Sequence, residues 1–240
     1  MVVLDPVCQT DAYLSPSVVI MARTTTSTGE WERFQKNPLP GVHVANLTRC
    51  LAPLRIQDES RLRQAFGVEP FRSSLIDLLR QTLGVKPLAQ LTVAPEEAGF
   101  VALDVAGWER AAGACGLMFW SQALARELRA PVLRSLETYF GASWWRWVEL
   151  GQDLAHDTAL AAQARHRPDT AQEWISGICD VGFAVLDAKV SLLDEDLAAW
   201  VHLKRPLNSD VAGVDGIRHV DEKLAVALVD VLNRHLRESS

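Results

Sequence analysis

The residues of this chain best suited to metal chemistry are Asp153, His156 and Asp157. Their spacing of i, i+3 and i+4 places all three on one face of a helix. Neighbouring His and Asp side chains bind metal ions in some phosphohydrolases, but a working site needs further ligands from other helices. His166 lies in a predicted loop between Arg165 and Arg167, and the sequence contains no second helix with a matching pattern. Two interpretations therefore stay open, an all-α metal-dependent hydrolase and a solvent-exposed helix face.

Other catalytic patterns are missing from the sequence. No G-x-S-x-G motif, phosphate-binding glycine loop or CxxC pair occurs, and the four cysteines are widely spaced. The acidic run 194–196 is typical of an exposed helix start, where carboxylates interact favourably with the helix dipole. We expect Cys115 and Cys179, which lie in apolar runs, to be buried. The sequence thus favours a protein that is not an enzyme and has no cofactor.

A cluster of indoles stands out at Trp144, Trp145 and Trp147, with Arg146 between them. Successive helical residues point about 100° apart, so the three indoles cannot all face one core. We expect Trp144 and Trp147 to pack inward and Trp145 to point away. Trp and Arg are enriched in interface hot spots, which makes Trp145, Arg146 and Trp144 the candidate partner-binding residues. The alternative is that Trp145 covers an N-terminal segment near Trp31.

Composition narrows the class of protein. The chain has 240 residues, of which 48% are hydrophobic and 22% charged, with a formal net charge of −6. An acidic balance argues against nucleic-acid binding, which needs a clustered basic surface. No apolar run is long enough to span a bilayer, and the start lacks a basic region before an apolar stretch. We therefore expect a cytoplasmic protein.

The chain divides into an irregular part and a helical part. Residues 1–44 contain turn-forming runs and are expected to wrap the surface with one short helix, anchored by the i, i+3 pair Trp31 and Phe34. Residues 45–240 form a helical body, and the whole is most simply a single domain.

Apolar periodicity and capping residues predict the helices of the body. The predicted helices cover approximately residues 58–67, 75–83, 104–128, 131–140, 144–150, 153–164 and 170–193, with a final helix that starts at Asp215 or Asp221. Residues 88–93 are predicted to be a short strand or an extended segment, 95–99 a linker, 197–206 a strand or a helix end, and 208–216 a loop. The fold class is therefore mainly α, a compact multi-helix domain with room for a small β element.

A family resemblance is carried by three stretches: residues 12–17, residues 116–126 with 133–141, and residues 182–186 with 199–206. Together they resemble the SctK family, the YscK-like accessory proteins of type III secretion injectisomes. Residues 12–17 (AYLSPS) are similar to the family's Tyr-Leu-His-Pro-Ser element, with Ser15 in place of His. Residues 116–126 (GLMFWSQALAR) resemble a family helix that begins Gly-Leu, and 133–141 resemble the helix that follows it. Residues 182–186 resemble a helix late in the family's sequence, and residues 199–206 resemble the Trp and the Leu-x-x-Pro motif that follow that helix.

This resemblance implies a helical adaptor of the cytosolic sorting platform, without catalytic residues or a cofactor. Members of the family join the cytoplasmic domain of the inner-ring protein SctD to the pod protein SctQ. The protein would then act at the cytosolic face of the inner membrane, without inserting into it. A secretion chaperone or regulator is an alternative that differs only in its partner.

Overall fold

The computed structural model describes residues 27–50, 60, 64, 67–154, 168–205 and 220–238. Eleven α-helices and two 3₁₀ turns form the described part, so the fold is mainly α, as predicted. The helices are α1 (Ser27–Lys36), α2 (Val44–Cys50), α3 (Glu69–Leu83), α4 (Pro95–Ala102), α5 (Val105–Phe119), α6 (Ser121–Leu124), α7 (Ala130–Phe140), α8 (Trp144–Leu154), α9 (Ala171–Val190), α10 (Glu195–His202) and α11 (Glu222–Glu238). The 3₁₀ turns are Leu39–Gly41 and Leu88–Gln90.

The centre of the fold is the antiparallel contact between α5 and α9, the most extensive helix pair of the described residues. A Cβ atom on Gly116 would overlap the backbone carbonyl of Ile178, and a Cβ on Gly182 would overlap that of Ala112. The two backbones therefore touch directly at two places, four residues apart on each helix. Only glycine permits this approach, because any side chain would force the helices apart.

The other helices pack around this pair. Helix α8 lies against α5 in the same close manner, because a Cβ on Gly151 would overlap the backbone of Met118. Helix α7 packs on α9, and α11 crosses both central helices. Large indoles fill the spaces that remain: Trp108, Trp174 and Trp200 are almost fully buried. The result is one continuous core that extends from α1 to α11.

Several predicted helix ends agree with the structure. The Asp104 carboxylate accepts the Gly107 N–H at 2.7 Å and starts α5. A capping box starts α9, where Thr170 and Glu173 accept each other's backbone N–H. Gly84 and Gly141 follow α3 and α7 with φ of 69° and 85°, the left-handed region in which glycine is unstrained. The final helix starts after Asp221, whose carboxylate accepts the Lys223 N–H at 2.8 Å.

The predicted β element is wrong, because the described residues contain no strand. Residues 88–93 instead include the 3₁₀ turn Leu88–Gln90, and Leu88 and Leu91 are buried at the i, i+3 spacing of that turn. The backbone at Leu91 is extended, which agrees with the alternative of an extended segment for this part of the stretch. The alternative of a strand at 197–206 is also wrong, since α10 covers most of it. The predicted linker 95–99 forms the start of α4, because Pro95 suits the first helical turn and Ala98 is buried.

Three helix bounds differ from the prediction. Helix α3 begins at Glu69 rather than near Ser74, because Pro70 supplies a ready-made first turn. The predicted helix 104–128 ends at Phe119 and is followed by the separate short helix α6. Helix α8 continues through Gly151, which is a packing residue and not a stop. The predicted helices 58–67 and 153–164 and the loop 208–216 lie largely or wholly outside the described residues.

The described part of the N-terminal segment is held to the end of α10 by a set of hydrogen bonds, here called the clasp. The Asn46 side chain donates to the carbonyls of Leu203 and Arg205 at 2.9 and 2.7 Å, and the His43 N–H donates to Leu203 at 2.8 Å. The predicted pair Trp31 and Phe34 is confirmed on α1, with ring centroids 5.9 Å apart, and α1 packs on α4. The division at residue 44 stays a prediction.

A buried lysine lies beneath this clasp. Lys204 donates to the carbonyls of Val101, at 2.6 Å, and Leu103, and its Nζ lies 4.1 Å from the centroid of the Phe34 ring. Burial lowers the pKa of Lys204 to about 7, although the charge of Asp104 opposes this shift by raising it. One side chain thus joins α1, the junction of α4 with α5, and the end of α10.

The α5–α9 contact predicts which glycines tolerate a methyl group. Gly116→Ala or Gly182→Ala is expected to lower the free energy of unfolding by about 2 kcal/mol or more, because the central helices must separate. Gly177→Ala is the matched control on α9, since a Cβ there meets nothing within 4 Å. It should leave stability unchanged or raise it by up to about 1 kcal/mol. Equal urea midpoints for Gly116→Ala and Gly177→Ala would contradict the close contact.

Lys204 predicts a pH dependence of stability. The folded protein releases this proton near pH 7, whereas the ordinary lysine value is 10.5, so the unfolded chain binds more protons between these values. The free energy of unfolding should therefore rise as pH increases from 7 to about 8, below the range where most cysteine thiols of the unfolded chain ionise. Urea melts at several pH values would measure the slope, and Lys204→Met should have a smaller one. The same slope in both proteins would show that Lys204 stays charged.

Candidate protein-contact surface

The indole cluster lies at the start of α8. Trp144 is 7% exposed and faces the core, whereas Trp145 is 38% exposed. Their rings meet edge to face with centroids 5.2 Å apart. Trp147 is half-buried and packs edge to face on His235 of α11, at 4.8 Å between centroids. Trp144 and Trp147 thus turn toward the body and Trp145 turns outward, which is the geometry expected from the sequence.

The position of this cluster is fixed by its neighbours. Gly141 ends α7 just before the cluster, and Gly151, one to two turns after the cluster, holds α8 against α5. The outward indole rests on the buried ring of Trp144, and edge-to-face pairs of this kind add about 0.5–1.5 kcal/mol beyond burial. Trp31, the alternative neighbour, packs on Phe34. The exposed indole is therefore presented on a rigid support.

Arg146 is exposed beside Trp145 and forms no ion pair within the described residues. Glu149, one turn further along α8, is exposed in the same way. An indole flanked by a guanidinium and a carboxylate can bury apolar area and also make charged hydrogen bonds. The three candidate residues are thus brought together, with Trp144 as the support and Trp145 and Arg146 at the surface.

Only one residue of the alternative metal site is among the residues that the structure describes. Asp153 is exposed on α8, whereas His156 and Asp157 lie outside the described residues. Among the described residues no group of three or more His, Cys, Asp or Glu side chains could hold a metal ion. The hydrolase stays an untested alternative.

Two charged clusters that the sequence did not indicate join helices to one another. Asp187 of α9 binds Arg205 and lies 3.7 Å from His202, and burial raises the pKa of Asp187 although both partners lower it. Lys189 of α9 lies 2.9 Å from the Glu97 carboxylate of α4. Both clusters link the end of α9 to other elements, so we interpret them as structural.

The predicted burial of cysteines is correct for Cys115 and correct in part for Cys179. Cys115 is fully buried, and burial raises the pKa of its thiol to about 12. Cys179 is half-buried, and burial raises its pKa to about 11. Both thiols are therefore protonated at neutral pH and are poor nucleophiles.

Sequence reasoning missed a second exposed apolar region, on α3. A shallow groove of about 400 Å³ is lined by Phe71, Leu75 and Leu78 together with polar side chains. The signal was available, because Val68, Phe71, Leu75 and Leu78 follow the 3, 4, 3 spacing of a helix-packing stripe. Leu128 is also highly exposed, but single exposed aliphatic residues are ordinary on protein surfaces.

Comparison of the chain with protein-family models, curated proteins and solved structures finds no match. None of the helices in the described part combines the length and apolar character needed to cross a bilayer.

The different burial of neighbouring indoles predicts different stabilities. Trp144→Ala should lower the free energy of unfolding by about 3–5 kcal/mol, because it leaves a cavity beneath α8. Trp145→Ala removes an outer ring and should lower it by about 1–2 kcal/mol. Thermal and urea melts of both variants measure the difference. Equal losses would show that Trp145 belongs to the core.

Proposed function

We propose that this protein is a non-enzymatic cytoplasmic adaptor of a type III secretion sorting platform. It links a SctD-like inner-ring domain to a SctQ-like pod protein and acts at the cytosolic face of the inner membrane. The observation that carries the proposal is the rigidly supported, outward-facing Trp145 beside Arg146, which forms no ion pair with any described residue. The resemblance of three sequence stretches to the SctK family supplies the identity of the partners.

An adaptor needs a body that keeps its shape and at least two surfaces that bind different partners. The central glycine contacts between α5 and α9 are consistent with a rigid body. The start of α8 offers one surface, and the apolar groove of α3 offers a candidate for another. Each contact can be weak, because many copies in one platform raise the effective concentration of partners.

The test is a three-component binding experiment with purified proteins. A tagged SctQ-like protein from the same organism is mixed with the SctD-like cytoplasmic domain, with and without this chain. We expect the SctD-like domain to be retained only when the chain is present, because the adaptor bridges the two. Calorimetry of each pair then gives the individual affinities.

The outcomes separate the proposed function from its alternative. A chaperone or regulator would bind a secreted protein and neither structural component. Absence of binding to both the ring and the pod proteins would contradict the adaptor proposal. Binding to one component without bridging would contradict the linking role.

A further inference from the structure

We propose that Trp145, Arg146 and Glu149, the docking corner of α8, bind a protein surface that has an apolar pocket next to a carboxylate and a basic side chain. The pocket takes the Trp145 indole, the carboxylate pairs with Arg146, and the basic side chain pairs with Glu149. This inference rests on the proposed function only for the choice of partner proteins, because the chemistry comes from α8 itself.

The order of the two charges is unfavourable for the helix that carries them. Arg146 lies in the first turn of α8, where the positive end of the helix dipole disfavours a cation. Glu149 follows it at i+3, and base-first pairs stabilise helices less than acid-first pairs. Neither residue forms an ion pair within the described part of the chain. Their placement therefore contributes little to the fold.

Acid-first pairs elsewhere in the protein behave differently. Three of them at the same i, i+3 spacing form ion pairs: Glu30–Arg33, Glu69–Arg72 and Asp77–Arg80. Among the described residues neither charge of the docking corner has an ion-pair partner, and both are exposed beside the outward indole. Charged groups of this kind are available to a partner without first breaking an internal contact.

Charge complementarity then defines the partner. A surface of one sign would be attracted to one of the two charges and repelled by the other, so the partner must carry both signs. The exposed indole, which lies one residue before Arg146 and one turn before Glu149, requires an apolar pocket, because a buried tryptophan anchor gains most of its energy from exclusion of water. A uniformly anionic membrane or nucleic acid fits this arrangement poorly, since Glu149 would be repelled.

The decisive variant is the charge swap Arg146→Glu with Glu149→Arg. It keeps the net charge, and it places an acid in the first turn and an acid-first pair on the helix, so the melting temperature should stay equal or rise. Binding should weaken about tenfold or more in Kd, because both charges now face like charges on the partner. Trp145→Ala should weaken binding by a similar factor.

A matched control exists on α7. Arg134 and Glu137 are also exposed, base-first, at i, i+3 and unpaired within the described residues, but Leu133 precedes Arg134 at the place where Trp145 precedes Arg146. The swap Arg134→Glu with Glu137→Arg should bind as the unaltered protein does. Calorimetry of the full chain against the SctQ-like protein and the SctD-like domain measures all variants.

The results separate the two proposals. If the unaltered chain binds and the α8 swap binds equally well to both partners, the docking corner is overturned while the adaptor function stands. If both swaps weaken binding equally, the effect is general electrostatics and the corner is also overturned. If the unaltered chain binds neither protein, the adaptor function fails, and with it the partners proposed for the corner.

Discussion

The fold depends on the direct backbone contact between α5 and α9. Gly116 and Gly182 let the two helices approach until each meets the other's carbonyl groups, which no side chain allows. This contact brings Trp120 within 5.6 Å of Trp174, and the Trp120 indole N–H donates to the Gly177 carbonyl at 3.3 Å. Because interiors are close-packed, separation of the central pair would disturb every helix that rests on it.

The outer helices pack on this central pair, which fixes their positions and also the position of the candidate surface. Gly151 holds α8 against α5, which directs Trp144 into the core and leaves Trp145 outside. On another side of the body, Lys204 and Asn46 tie the N-terminal helices to the end of α10. In the described structure, glycines and buried polar groups thus fix the positions of the helices. The exposed start of α8 carries an indole, a guanidinium and a carboxylate group.

Periodicity and capping residues were sufficient to predict the long helices, because Asp104, Thr170 and Gly141 act locally. They did not predict α4, because Pro95 is typical of a loop as well as of a first helical turn. The burial of Phe100, which the sequence alone does not show, favours the helix. Lys204 could not be found from sequence, since its partners lie about a hundred residues away. For the surface, helical geometry predicted the outward direction of Trp145. The α3 groove and the lack of an ion pair between Glu149 and any described residue became visible only in the packed structure.

The central claim is that the start of α8 is where a partner binds. Hydrogen exchange of the chain, alone and with the SctQ-like and SctD-like proteins, tests this most directly. The account predicts that amides near residues 144–149 become protected in one complex, while those of α5 are already protected in the free chain and do not change. Protection confined to α3, with α8 exchanging as in the free chain in both complexes, would contradict it.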